Sequence, residues 1–222
     1  MNSKIVVMKP GELLGPLNQV EEMYAPQKFF LRGNFQFFEA GPRVSVVGSR
    51  NPSKEGYKNT VRLVENLVQN DVVFVSGLER GIDTIAHRTS ISENGHTIAV
   101  LATPLNNCYP SENFELQQTI FKDHLAITQF PEGYPIQKKN FPIRNRAMAL
   151  ISHATIIVEA GETSGTIHQG WEALRLGRPL FIFKDLIENA KLSWPKKMAN
   201  YGAVSISMSN IERVLEVLPI NG

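Results

Sequence analysis

Four short segments of this chain combine glycines, hydroxyls and basic side chains, which are residue types that bind phosphate groups. The first runs from residue 48 to residue 53 and contains Gly48, Ser49 and Arg50. A glycine permits a tight turn, a hydroxyl donates to a phosphate oxygen, and a guanidinium presents a planar fork of donors that matches phosphate. The N–H groups at the start of a following helix also attract an anion. We therefore expect these three residues to bind phosphate.

A second segment, residues 76–83, contains Gly77 and Gly81, and such a loop can surround a phosphate or a base with backbone N–H groups. Its last residue, Asp83, is a candidate ligand contact or a partner of its own helix dipole. Asp83 also lies four residues before His87, on the same helical face, where an acid can orient an imidazole. Because the sequence places no serine or cysteine nucleophile beside this pair, we expect a structural hydrogen bond and no catalysis.

The third segment, residues 138–146, is basic and contains an aromatic residue. Its cations are Lys138, Lys139, Arg144 and Arg146, with Phe141 between them and no acid. Cations bind phosphates and an aromatic ring stacks on a base, so this composition predicts a path for single-stranded nucleic acid. A solvated basic loop with a buried phenylalanine is the alternative. If the segment is helical, Arg144 and Arg146 project to different faces, and at most one of them points into a site.

The fourth segment follows an apolar run and contains Ser164, Gly165 and Thr166 at the start of a predicted helix. Its two hydroxyls are candidate donors to a phosphate. Each segment alone is weak evidence for a binding site. Four of them at successive strand ends, together with their arginines, are difficult to explain by packing alone.

Short β-branched apolar runs alternate with longer amphipathic stretches along most of the chain. The runs predict strands at residues 44–47, 72–75, 98–102, 125–128, 154–158 and 180–183. The stretches between them predict helices near residues 53–70, 82–94, 111–122, 143–152 and 166–176. Repeated strand–helix–strand units predict an α/β fold, with a doubly wound, mostly parallel sheet and helices on both faces. Ligands of such sheets bind outside the carboxyl ends of the strands, where the four segments would lie.

The two ends of the chain follow this pattern less clearly. Residues 1–42 are interrupted by Pro and Gly, and they predict an N-terminal segment packed on a core of residues 43–222. Within that segment we expect a short helix near residues 17–23 and an edge strand near residues 29–32. After residue 183 we expect a helix at 192–201, a last strand at 203–206 and a terminal helix at 210–218 capped by Ser209.

Composition excludes several classes of protein. Among the 222 residues, 42% are hydrophobic and 20% are charged, which excludes a disordered chain. A net charge of +2 is too small to indicate a nucleic-acid binder, so such a site must be local. The single cysteine, Cys108, excludes an intramolecular disulfide. Five scattered histidines predict no metal site, and the lack of a GxGxxG motif predicts no dinucleotide cofactor. No apolar run reaches the ~18 residues of a membrane span, so we expect a soluble, cytoplasmic protein.

The order of the motifs resembles the DNA-processing protein family DprA, also called Smf. The matching stretches, within residues 13–185, are VSVVGSR, VVFVSGLERGIDTIAH, HTIAVLATPLNNCYPSEN, FPIRNRAMALISHATIIVEAGETSG and LRLGRPLF. The resemblance implies an extended Rossmann-like fold of the SLOG superfamily that binds single-stranded DNA and lacks enzymatic activity. It also implies a homodimer that helps to load a RecA-type recombinase during DNA processing and recombination in natural transformation.

The resemblance assigns site residues as well. The family's GSR turn is Gly48, Ser49 and Arg50 here, its SGLAxGID loop supplies Ser76, Gly77, Leu78, Gly81 and Asp83, and its FPxRNR element supplies Phe141, Arg144, Asn145 and Arg146. These elements form the expected pocket for DNA phosphates. Two stretches depart from the family. Glu79 replaces the usual alanine, which costs affinity for phosphate unless this carboxylate points away or pairs with Arg80. Residues 102–107 lack the usual glycines.

Two alternative functions use the same pocket. One is a sensor that binds a free nucleotide. The other is a nucleotide phosphoribohydrolase similar to the LOG proteins, whose GxGTxxE helix start resembles residues 164–169. Gln169 occupies the position of the catalytic glutamate of that family, and an amide cannot act as a carboxylate base. We therefore expect a non-catalytic DNA-binding module, whether it serves transformation, a mobile element or defence.

Overall fold

One nine-stranded sheet organises the chain in a computed structural model that describes residues 4–219. The outermost residues of the two predicted segments, 1–3 and 220–222, lie outside this description. The strands are β1 (Val6–Met8), β2 (Phe29–Gly33), β3 (Arg43–Gly48), β4 (Val73–Ser76), β5 (Thr97–Leu101), β6 (Leu125–Thr128), β7 (Ala154–Glu159), β8 (Leu180–Phe183) and β9 (Val204–Ile206). Their order is β1-β2-β6-β5-β4-β3-β7-β8-β9. In the part of this spatial order that runs from β6 to β9, neighbouring strands are parallel to each other. The strand β2 is antiparallel to both β1 and β6.

Helices cover both faces of this sheet, which confirms the predicted fold class. They are α1 (Pro10–Leu14), α2 (Gln19–Tyr24), α3 (Lys54–Val68), α4 (Ile82–Ser92), α5 (Phe114–Asp123), α6 (Asn140–Ile151), α7 (Thr166–Arg175), α8 (Lys184–Glu188), α9 (Trp194–Asn200) and α10 (Glu212–Leu215). Successive strand residues point to opposite faces. Accordingly, Val46 of β3 packs in the core under α3, whereas Val47 packs in the core under α6. Within residues 4–219, no helix has both the length and the apolar character to cross a membrane.

The strand order creates a crevice between β3 and β7. From β3 the chain proceeds outward through β4, β5 and β6, and it then returns to the other side of β3 to form β7, β8 and β9. Loops that leave the carboxyl ends of β3 and β7 therefore turn in opposite directions, and ligands of doubly wound sheets bind at this point. The turn after Gly48 and the segment before Thr166 leave these two strands.

The N-terminal and C-terminal elements differ from two predictions. The predicted edge strand, β2, is not at the edge, since it pairs with β6 on one side and with β1 on the other. The last helix, α10, is shorter than predicted and begins after Ile211, which supplies no side-chain cap. The Ser209 hydroxyl instead bonds to the Ser207 hydroxyl at 2.8 Å, so the predicted cap is wrong. The division of the chain at residue 42 stays a prediction.

Candidate functional site

A cavity of about 840 Å³ lies at the crevice between β3 and β7. Ligand pockets commonly have volumes of roughly 300–1,000 Å³. The predicted site residues that line it are Gly48, Ser49, Arg50, Asp83, Lys138, Phe141, Arg144, Asn145, Ser164, Gly165 and Thr166. Its lining also contains Glu79, Tyr109, His168 and Gln169, which we had not predicted as binding residues. The structure thus brings together residues from four separate segments of the chain.

Six predicted site residues are not part of this lining: Ser76, Gly77, Leu78, Gly81, Lys139 and Arg146. The Ser76 hydroxyl donates to the Val46 carbonyl at 2.7 Å, and Leu78 is fully buried. Gly81 has a φ of +73°, and a Cβ there would lie 2.2 Å from the Ser49 carbonyl oxygen. Ser76 and Leu78 are therefore packed beneath the cavity wall, and Gly81 permits the close approach of this loop to Ser49.

Arg50 and Phe141 lie together at the mouth of the cavity. The Arg50 side chain is 53% exposed, and its guanidinium lies over the Phe141 ring at 5.4 Å. The Tyr109 ring meets Phe141 edge-on, with 5.5 Å between centroids. Tyr109 is 44% exposed. A cation beside two accessible rings can hold a phosphate and stack on a base. The isolated Tyr109-Pro110 pair carried too little chemistry in the sequence for us to predict this contact.

Arg144 has a different environment from Arg50, because its side chain is only 4% exposed. Its Nη1 donates to the carbonyls of Gly77 and Val100, at 2.5 and 2.9 Å, and its Nε donates to the Asn145 amide oxygen at 2.9 Å. Burial lowers the pKa of this guanidinium, and the carboxylates of Glu79 and Asp83 oppose that effect. The structure therefore places Arg144 as a brace between α6 and the 76–83 loop. Direct contact of Arg144 with a phosphate stays a prediction. Arg146, in contrast, is 39% exposed and pairs with Glu172 outside the cavity.

Two buried carboxylates face these arginines. Glu79 lies 2.8 Å from Arg50 and 3.7 Å from Arg144, so it pairs with these two arginines of the cavity instead of pointing away or pairing with Arg80. Arg80 pairs instead with Glu112. Burial raises the pKa of the Glu79 carboxyl, and the charge of Arg144 partly offsets this effect.

Asp83 is the second buried carboxylate, and it closes the 76–83 loop. It accepts hydrogen bonds from the N–H groups of Gly77 and Glu79, at 3.0 and 3.4 Å. Those two N–H groups are therefore bound within the protein and do not face a ligand. Asp83 does not orient His87, whose Nδ1 pairs with the Thr97 hydroxyl at 2.6 Å while its Nε2 has no partner among the described residues. The expected Asp83–His87 hydrogen bond is therefore wrong.

A carboxylate of the protein also binds the backbone at the start of α3. Both oxygens of Glu159, at the end of β7, accept from the Ser53 N–H, at 3.0 and 3.1 Å. The Ser53 hydroxyl donates to the same carboxylate and caps Gly56. Our expectation of free N–H groups at this helix start is wrong for Ser53 and Gly56, because they are already bound.

The residues at the start of α7 fasten that helix to β3. The Thr166 hydroxyl donates to the Gly48 carbonyl at 3.1 Å, and the Ser164 hydroxyl accepts from the Thr166 N–H at 3.2 Å. The Ser164 hydroxyl keeps its own proton for a ligand, whereas the Thr166 proton is used. The loop thereby fixes the distance between the two sides of the crevice.

The floor of the cavity carries no carboxylate at the position that the phosphoribohydrolase alternative requires. Gln169 is fully buried, and its amide lies near the Asn145 carbonyl and the Ala149 N–H of α6. One turn further along α7, Glu172 pairs with Arg146 and Arg175. Residues 4–219 contain no cluster of three His, Cys, Asp or Glu side chains that could hold a metal ion.

Comparison with known proteins identifies the family of this chain. The family model of DNA recombination-mediator protein A matches residues 15–219. The chain is 32% identical over 194 residues to the DNA processing protein DprA of Bacillus subtilis (strain 168), covering 87% of this chain and 65% of that protein. The chain thus spans less than two thirds of that relative. These matches confirm the family resemblance of the motifs.

Two solved structures share the fold over almost the whole chain. DNA processing protein A from Streptococcus pneumoniae superposes with a TM-score of 0.82 at 30% identity, covering 98% of this chain and 76% of that one. DNA processing protein A from Helicobacter pylori, solved for insight into its single-stranded DNA binding mode, superposes with a TM-score of 0.81 at 22% identity. That match covers 99% of this chain and 100% of the other.

Proposed function

Since this chain belongs to the DNA recombination-mediator protein A family, we propose that it binds single-stranded DNA as a non-catalytic module. The observation that carries this proposal is the cavity at the β3–β7 crevice, where Arg50 lies over one ring of the Tyr109–Phe141 pair and the exposed Lys138 lines the same cavity. Cations for the backbone and rings for the bases are what a single strand requires, whereas a duplex hides its base faces. The single-stranded DNA binding of the Helicobacter pylori neighbour supports the same reading.

The wider role of the protein follows from family membership and forms part of the proposal. We propose that the chain acts as a homodimer in the cytoplasm and assists a RecA-type recombinase in DNA processing during natural transformation. The stretch around residues 174–181 and the terminal helix α10 are the proposed dimer surfaces. None of these roles requires a metal, a cofactor or a chemical step at the cavity.

The experiment is a fluorescence anisotropy titration with a labelled single strand of about 35 nucleotides and with its duplex, at several salt concentrations. For single strands the slope of log K against log salt is about −0.7 per neutralised phosphate. Two phosphate contacts, by Arg50 and Lys138, give a contribution of about −1.4. Arg50→Ala should weaken single-strand binding and reduce the magnitude of the slope by about 0.7.

Arg62→Ala is the matched control, because Arg62 is exposed on α3 and does not line the cavity. It removes the same charge from the protein and should leave the affinity nearly unchanged. Equal, weak binding to both forms of DNA that is insensitive to Arg50→Ala contradicts the proposal. A rise in Tm with a mononucleotide in place of DNA binding would favour the sensor. Release of a free base from a nucleoside monophosphate would favour the hydrolase.

A further inference from the structure

The carboxylate of Glu79 pairs with Arg50, which is the more exposed of the two arginines that line the cavity. Its Oε2 lies 2.8 Å from Nη2 of Arg50, and the Glu79 side chain is 9% exposed while that of Arg50 is 53% exposed. Glu79 therefore approaches the guanidinium from the protein side. A phosphate that enters the cavity reaches the same guanidinium from the solvent side, so the two anions share one cation.

Among the described residues, the charged groups that act on Glu79 include no cation besides Arg50 that is free for an incoming phosphate. Arg50 reaches it from the β3–α3 loop, Arg144 from α6, Asp83 from α4, and Arg80 from its own loop. Arg80 is already paired with Glu112, at 2.5 Å. The two acids that remain, Glu79 and Asp83, are balanced by Arg50 and Arg144. A phosphodiester adds one negative charge to this balanced set.

We infer that Glu79 sets the affinity of the cavity for DNA by competing with the phosphate for Arg50, and that DNA binding is accompanied by uptake of a proton at Glu79. This inference rests on the proposed function. Glu79 acts through Arg50, and it is a positioning residue with no contact of its own to the DNA.

The electrostatics of the site determine whether the affinity for DNA rises or falls with pH. Burial raises the pKa of Glu79, so this carboxyl is closer to its neutral form than an exposed glutamate is. A phosphate beside it disfavours the carboxylate further and raises that pKa again. The DNA-bound protein then holds more protons than the free protein. Affinity must therefore rise as the pH falls toward the pKa of Glu79, by at most about tenfold per pH unit for one proton.

The test compares the wild type with Glu79→Gln in anisotropy titrations from pH 8 to pH 5.5 at constant ionic strength. The amide keeps the size of the side chain and removes its charge. At pH 8 we expect Glu79→Gln to bind the single strand at least about threefold more tightly. The difference should decrease as the pH falls, because a growing fraction of the wild-type carboxyl is neutral. Glu115→Gln removes the same charge from the exposed start of α5 without releasing Arg50 or Arg80, and its profile should parallel that of the wild type.

His168 also lines the cavity, so a direct count of protons in a variant without this imidazole completes the test. Calorimetric titrations of the His168→Gln variant in two buffers of different ionisation enthalpy should show net proton uptake on DNA binding. This measurement does not depend on the folding of Glu79→Gln. Parallel pH profiles of wild type and Glu79→Gln with equal affinities, or zero uptake in the His168→Gln variant, overturn the inference and leave the proposed function intact. Absence of DNA binding in both proteins at every pH overturns the proposed function, and the inference with it.

Discussion

Replacement of Arg144 by methionine tests whether this buried guanidinium braces the 76–83 loop. Methionine matches much of the volume of the side chain but supplies no donors and no charge. The substitution leaves the carbonyls of Gly77 and Val100 without their donor. It also removes the cation that opposes the buried carboxylates of Glu79 and Asp83.

The expected loss of stability follows from the burial of these groups. Removing one partner of a buried ion pair typically lowers the free energy of unfolding by about 3–5 kcal/mol, which is about the contribution of several ordinary hydrogen bonds. At about 2–4 °C per kcal/mol for a chain of this length, we expect Tm to fall by roughly 10 °C. Arg146→Met is the matched control, since this arginine lies on the same helix and its side chain is 39% exposed. Replacing Arg146 should lower the free energy of unfolding by at most about 1 kcal/mol.

The pH dependence distinguishes lost charge compensation from lost packing. Burial raises the pKa values of Glu79 and Asp83, and without Arg144 they rise further. The folded variant then binds more protons than its unfolded chain, so its stability falls as pH rises through these pKa values. Urea denaturation at pH 8, 6.5 and 5 should therefore show the largest deficit at pH 8. An equal deficit in Arg146→Met, or a deficit that does not change with pH, would refute the bracing role.

Two further predictions concern the ring pair and a buried histidine. Phe141→Ala should weaken single-strand binding by about 1–3 kcal/mol, which is the usual effect of one base–aromatic stack. The control is Phe35→Ala, which removes a 37% exposed ring outside the cavity and should leave binding unchanged. Equal losses of affinity for the two variants in an anisotropy titration would contradict this prediction. Burial lowers the pKa of His87 to about 3 from its ordinary 6.5, so the unfolded chain takes up a proton between these values and stability falls with acid. In His87→Gln this acid dependence should decrease by about 1.4 kcal/mol per pH unit between pH 5.5 and 4.5, as measured by urea denaturation.

The sequence predicted the sheet well because its central strands are buried on both faces. Continuous β-branched runs such as the one in β7 have no amphipathic alternative, so their length and turns determine the assignment. The strand β1 was missed because three residues are too few to set a periodicity. Its pairing with β2 is a long-range contact, and this contact also moved β2 away from the predicted edge position.

The same distinction between local and long-range information applies to the site. The positions of the four segments could be predicted, since parallel strands bring their carboxyl ends to one edge. Whether each hydrogen-bond donor is already bound within the protein could not be predicted, because the acceptors that bind these donors are distant in sequence. Glu159 binds Ser53 across 106 residues, and Arg144 binds Gly77 across 67 residues. A local motif can indicate that a guanidinium or an N–H group is present, but only the fold determines whether a carboxylate of the protein already holds it. In this chain such carboxylates stand at two of the expected phosphate positions, beside Arg50 and at the start of α3. We therefore expect the affinity of the proposed DNA site to depend on how readily these carboxylates release the donors that they hold.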